Sequence, residues 1–129
     1  MQKKKLMSID FGDSKVGIAI ADPLPQPFGV FYYKEQSEIV EQIKKISDVN
    51  KIEMIIVGVS ENQSGKKAKL FGEELQAKVD LPIEYFDETL STIDAQQYLV
   101  NSGRGRKHRK EMEDAWAASV ILERFLESN

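Results

Sequence analysis

The stretch Leu6-Met7-Ser8-Ile9-Asp10-Phe11-Gly12-Asp13-Ser14-Lys15-Val16-Gly17-Ile18-Ala19-Ile20-Ala21 decides the fold. It holds two short apolar runs, Leu6 to Phe11 and Val16 to Ala21, separated by Gly12-Asp13-Ser14-Lys15, a spacer suited to a tight turn. Strands joined that closely pair antiparallel. Asp22-Pro23 and the prolines at 25 and 27 break the second run, and Phe28 to Tyr33 resumes as a third strand. The chain therefore opens on an antiparallel meander.

Beyond it the period changes. Ser37 is a candidate cap for a helix whose Ile39, Ile43 and Ile46 recur at helical spacing, ending near Asn50. Met54 to Val59 is a continuous apolar run, the mark of a strand covered on both faces. Residues 64–79 form a second amphipathic helix with Ala68, Phe71 and Leu75 inward, and Pro82 to Phe86 a short strand. Ser91-Thr92-Ile93-Asp94 reads as a capping box opening a helix to Asn101, and a last helix runs from about Glu111 to Glu127. The order β-β-β-α-β-α-β-α-α predicts an α/β fold: a mixed sheet of five strands, the meander plus parallel strands, with helices on both faces.

The 129 residues suit one domain, 1–129, with no linker or repeat to divide them. At 41% apolar and 30% charged, the composition is that of a globular domain. The apolar runs fall short of the roughly 18 residues a spanning helix needs, and the N-terminus lacks a secretory pattern, so no membrane association is expected. Absence of cysteine excludes thiol chemistry and disulfides and is simplest in a reducing cytoplasm. One histidine, His108, leaves little room for a His-rich metal site or a Ser–His triad. A net charge of −3 does not by itself announce a nucleic-acid binder.

Acids at three places in the chain stand out. Asp10 closes the first strand just before Gly12, and Asp87 and Glu88 close the last. If these strands are parallel neighbours, their carboxylates gather at the edge where open α/β sheets bind ligands. Alternation sends Asp87 and Glu88 to opposite faces, so one of them joins Asp10. Asp114 opens Asp114-Ala115-Trp116-Ala117-Ala118 and shares a helix face with Ala118 and Ile121, where an acid needs a partner. Each acid alone has an ordinary explanation, in a turn or a helix entry. Together they suggest a site. Carboxylates without cysteine or spare histidine suit Mg²⁺ or Mn²⁺ rather than zinc. One or two such ions can activate water for phosphodiester hydrolysis.

Gly103-Arg104-Gly105-Arg106-Lys107-His108-Arg109-Lys110 reads as a mobile, positive loop just ahead of Asp114. Phosphate is its natural counter-charge, so Arg104, Arg106, Lys107, Arg109 and Lys110 are candidate nucleic-acid contacts. A merely solubilising loop is the competing explanation. Lys3 to Lys5 and Lys66, Lys67 and Lys69 extend the patch if the fold brings them to the same side. His108 reads as a plain loop residue, and Trp116 and Phe31-Tyr32-Tyr33 as packing rather than base-stacking platforms. The Asp10-x-Gly12 hairpin also occurs in actin-like ATPases and sugar kinases, which need a second domain.

Taken in order, Asp10-x-Gly12-x-x-Lys15-Val16-Gly17, Val57-Gly58, Gly65, Asp87-Glu88-Thr89-Leu90-Ser91-Thr92 with Ala95, the basic loop, Asp114, Ala117-Ala118 and Ile121-Leu122 resemble the YqgF family over nearly the whole chain. These bacterial RNase H-like proteins are relatives of the RuvC Holliday-junction resolvases. The resemblance implies an RNase H-like sheet and a nuclease acting on Holliday junctions or on the 5′ end of pre-16S rRNA. It makes Asp10, Glu88 and Asp114 both the catalytic acids and the ligands of Mg²⁺ or Mn²⁺, with Asp87 beside them, and Lys15 a phosphate contact. Lys15 and Thr89 stand where the family usually has arginine, and Ser60 where proline is common. The expected partner is structured RNA or branched DNA, bound by a monomer or a homodimer. A different class of function, an RNA-binding ribosome-assembly module with little or no turnover, fits the same basic loop and the Thr89 departure. A nucleotide-binding fragment built on the 10–17 hairpin is a third.

Overall fold

The computed structural model describes residues 4–59, 63–87 and 106–127. In chain order the elements are β1 (Leu6–Phe11), β2 (Lys15–Ala21), β3 (Pro25–Tyr32), α1 (Gln36–Asn50), β4 (Met54–Val59), α2 (Gln63–Lys78), β5 (Ile83–Asp87) and α3 (Arg106–Glu127). The strands form one five-stranded sheet, ordered β3-β2-β1-β4-β5. β1 pairs antiparallel with β2 and β2 with β3, whereas β1/β4 and β4/β5 are parallel. The expected meander and mixed sheet are both present. The expected helix from Ser91 to Asn101 lies outside the described residues.

Alternation along β1 divides the core. Met7, Ile9 and Phe11 join Val16, Ile18, Ile55 and Val57 beneath α1 and α2, which contribute Ile39, Val40, Ile43, Ala68, Phe71 and Leu75. Leu6 faces the other way, with Ala19, Ala21 and Ile56, against Ala118, Ile121 and Leu122 of α3. β4 is buried on both faces, as its unbroken apolar run required. Among the described residues, no helix is long and apolar enough to cross a membrane.

Three local expectations change. The second strand does end at Ala21, but the third begins at Pro25 rather than Phe28, so Pro25 and Pro27 belong to β3. β3 is an edge strand, where a missing N–H can face solvent, and the register shifts at Ile18/Ala19, placing Gly29 and Pro27 opposite consecutive residues. α1 is capped by Glu35, not Ser37: the Glu38 carboxylate accepts a hydrogen bond of 3.1 Å from the Glu35 backbone N–H. Finally, α3 begins at Arg106, so Arg106–Lys110, expected as mobile loop, are the opening turns of a helix. No proline interrupts Arg106 to Glu127, and Arg, Lys and Glu are good helix formers.

Candidate active site at the carboxyl edge of β1

Asp10 lies near the end of the central strand, opposite Gly17 of β2 and Gly58 of β4. Leu6, Ser8 and Asp10 alternate onto the face covered by α3, and the buried Ser8 hydroxyl donates a hydrogen bond to the Ala118 carbonyl. Glycine opposite Asp10 has a steric cause. A Cβ at Gly17 would overlap the backbone carbonyl of Asp114 and crowd the Ala115 nitrogen. Only a bare backbone lets α3 come this close. Small side chains extend the contact: Ala19 and Ala21 on β2, and Ala115 and Ala118 on α3, are all buried. The fold thus brings Asp114 against the cross-strand neighbour of Asp10, and both acids are partly accessible.

Lys15 opens β2 on the same face, and its Nζ lies 3.2 Å from Oδ2 of Asp114. An acid on the buried face of α3 was expected to need a partner; within the chain, that partner is Lys15. The hydrogen bond to Asp114, followed by that carboxylate's charge, raises the Lys15 pKa above its ordinary 10.5, partly opposed by burial, with smaller support from Tyr32 and Glu113. Nζ also stands 6.0 Å from the Tyr32 ring centroid. Tyr32 corrects another expectation: read as sheet packing, it is 71% exposed, while Phe31 and Tyr33 do pack against the core.

On the other side of the β1–β2 turn, Lys67 of α2 bonds Asp13 at 3.1 Å, and the Tyr33 hydroxyl donates to the Gly12 carbonyl. A cleft of about 500 Å³ between Phe11, Asp13, Tyr33, Lys34, Lys67 and Leu70 opens there. Lys67 therefore does reach the edge that carries Asp10. Lys5 does not: it pairs with Asp22 at 3.6 Å at the opposite end of β1, because Leu6 is registered with Ala21.

Glu88 and Arg104 lie outside the described residues. Asp87 ends β5 opposite Val59, and Arg106, Lys107, Arg109 and Lys110 occupy the start of α3. Among the described residues no three acidic or histidine side chains form a metal-sized group; Asp10 and Asp114 are the members of the expected triad that the fold places on one face. Sequence reading missed Gly17 as the residue that admits α3, although a glycine inside a strand is itself a signal of close backbone approach. It also missed Tyr32 and Glu113 as neighbours of Lys15.

Residues 4–128 match the family model described as "RuvX: Holliday junction resolvase". A protein of Halothermothrix orenii named "Putative pre-16S rRNA nuclease" is 37% identical, over 95% of this chain and 94% of its own length. One of the same name from Desulforamulus reducens is 33% identical, over 96% and 97%. Among solved structures, T. thermophilus RuvC in complex with Holliday junction substrate superposes with a TM-score of 0.64 at 12% identity, covering 98% of this chain and 96% of that one. The fowlpox virus resolvase in complex with Holliday junction DNA gives 0.60 at 11%, covering 96% and 97%. These two share the fold, the RNase H-like one expected. With a family match that runs almost from end to end, the chain belongs to the RuvX family of Holliday junction resolvases.

Proposed function

We propose that the chain is a cytoplasmic, divalent-metal-dependent nuclease that hydrolyses phosphodiester bonds in structured nucleic acid, either precursor 16S rRNA at its 5′ end or a four-way DNA junction. The observation that carries this reading is the placement of Asp10 and Asp114 on one face at the carboxyl edge of β1, made possible by Gly17. The names of the full-length relatives support the RNA substrate; the family description and the solved neighbours support the junction.

The donor set suits a hard cation. It is carboxylate, with no cysteine in the chain, and Asp114 already draws a cationic group to itself. Asp10 and Asp114, with Glu88 as third donor, would hold Mg²⁺ or Mn²⁺. When bound, such an ion supplies charge neutralisation at the scissile phosphate and makes water a better nucleophile at neutral pH. The chain's own contribution is positional: α3 packs on β2 at Gly17 and is tied to β1 by the Ser8–Ala118 hydrogen bond, which keeps both carboxylates on one face. Arg104, Arg106, Lys107, Arg109 and Lys110 supply positive charge for the phosphate backbone beside them.

The test offers wild type and Asp10→Asn both a 5′-extended rRNA precursor and a four-way junction, in Mg²⁺. Cleavage should fall by about 10²-fold or more in the variant, with folding and binding retained. Equal cleavage by both proteins would remove the assignment. Binding of either substrate without cleavage would favour the RNA-binding module, a reading that has one observation on its side: Lys15 already satisfies Asp114.

A further inference from the structure

We infer that Lys15 and a divalent ion are alternative partners of Asp114, and that metal binding there releases the lysine toward the substrate phosphate. The inference rests on the proposed metal site and adds an order of events to it.

The two partners differ in freedom. Asp114 sits on α3, whose backbone packs directly against Gly17, so its short side chain moves little unless the helix moves. Lys15 carries its charge on a flexible four-carbon stem, and its side chain is 39% exposed against 26% for Asp114. When a competing cation takes Oδ2, the ammonium is therefore the partner that moves. It has places to go nearby. The exposed ring of Tyr32, paired with Lys15 across β2 and β3, is already 6.0 Å away, and Glu113 adds a favourable charge from the preceding position of α3. From there the freed ammonium stands at the edge of the site, placed to meet a phosphate oxygen.

An ammonium and a divalent ion at one carboxylate oxygen repel each other, so occupancy by one opposes the other. Metal should thus bind before phosphate is gripped by Lys15, and the charge on Asp114 is never left bare in between. Lysine serves this exchange better than arginine, whose planar fork would hold a carboxylate through two parallel bonds.

The test needs no substrate. The Lys15 Nζ resonance, assigned by its loss in Lys15→Met, is followed by NMR while wild-type protein is titrated with Mg²⁺ and, separately, Ca²⁺. Calorimetry gives the affinities of wild type, Lys15→Met and Lys15→Arg. The expected result is a Lys15 signal that moves with the midpoint of metal binding, toward its position in metal-free Asp114→Asn. Lys15→Met should bind Mg²⁺ about tenfold more tightly than wild type, and Lys15→Arg no more tightly than wild type. Metal that binds while the Lys15 signal stays fixed would overturn the inference and leave the metal site standing. No metal binding to wild type or to Lys15→Met would remove both.

Discussion

The bond between Lys15 and Asp114 has a definite pH signature. Its ammonium pKa is raised above 10.5 in the folded chain, chiefly by the hydrogen bond to Asp114 and by that carboxylate's charge. A raised pKa means that the protonated group stabilises the fold. That contribution is complete below the unfolded value and is lost as pH climbs through the folded one. At 39% exposure of the lysine side chain the pair is solvent-screened, and it contributes at most about 1 kcal/mol. Tyr33 and Tyr85, raised mainly by burial, also lose stabilisation on the alkaline side. The informative quantity is therefore a difference. Urea midpoints of wild type and Lys15→Met, measured in chelator from pH 7 upward, should differ at pH 7 and converge only as pH passes the raised pKa of the folded lysine, beyond 10.5. A gap that persists unchanged would mean that Lys15 stabilises through its aliphatic stem rather than its charge.

The seam between α3 and the sheet makes a prediction at the scale of elements. Gly17→Ala inserts one carbon where the Asp114 carbonyl already lies, and the obstacle is backbone, not a side chain that can turn aside. The helix must lift or the strand must shift, at a cost of about 1–3 kcal/mol, together with displacement of Asp114 from the Asp10 face. A drop in urea midpoint accompanied by weaker Mg²⁺ binding is the expected pair of results; Asp10→Asn should show the second without the first. Strands and their order were largely readable, because two apolar runs flanking Gly12-Asp13-Ser14-Lys15 and an unbroken Met54–Val59 each admit few arrangements. What escaped was set by partners outside the local segment. Pro25 and Pro27 stay in β3 because, among the described residues, no strand pairs with its outer edge, and the inward acid Asp114 was visible without any hint that Lys15 would answer it. The opening of α3 at Arg106 was hidden by Gly103 and Gly105, whose loop character was extended too far into residues that favour helix.

At the scale of the whole molecule, the proposed nucleic-acid contact sets charge against helix stability. The chain is net negative at −3, yet Arg106, Lys107, Arg109 and Lys110 crowd the opening of α3, and no acid occupies its first turn. Unpaired backbone N–H groups give a helix N-terminus about half a positive charge, so cations there are unfavourable, by some tenths of a kcal/mol each. The arrangement makes sense when phosphates bind, since the helix end and the cations then attract the same anion. Function and stability should therefore move in opposite directions. The fourfold variant Arg106→Gln, Lys107→Gln, Arg109→Gln, Lys110→Gln is expected to melt at a slightly higher temperature than wild type. It should bind nucleic acid more weakly, and the slope of log K against log salt should fall by about 3 if all four cations touch phosphate. Because phosphate contacts carry no base information, the loss should be the same for substrates of different sequence but the same length and structure. A variant that melts lower while keeping the wild-type salt slope would show that these cations serve the helix and not the substrate.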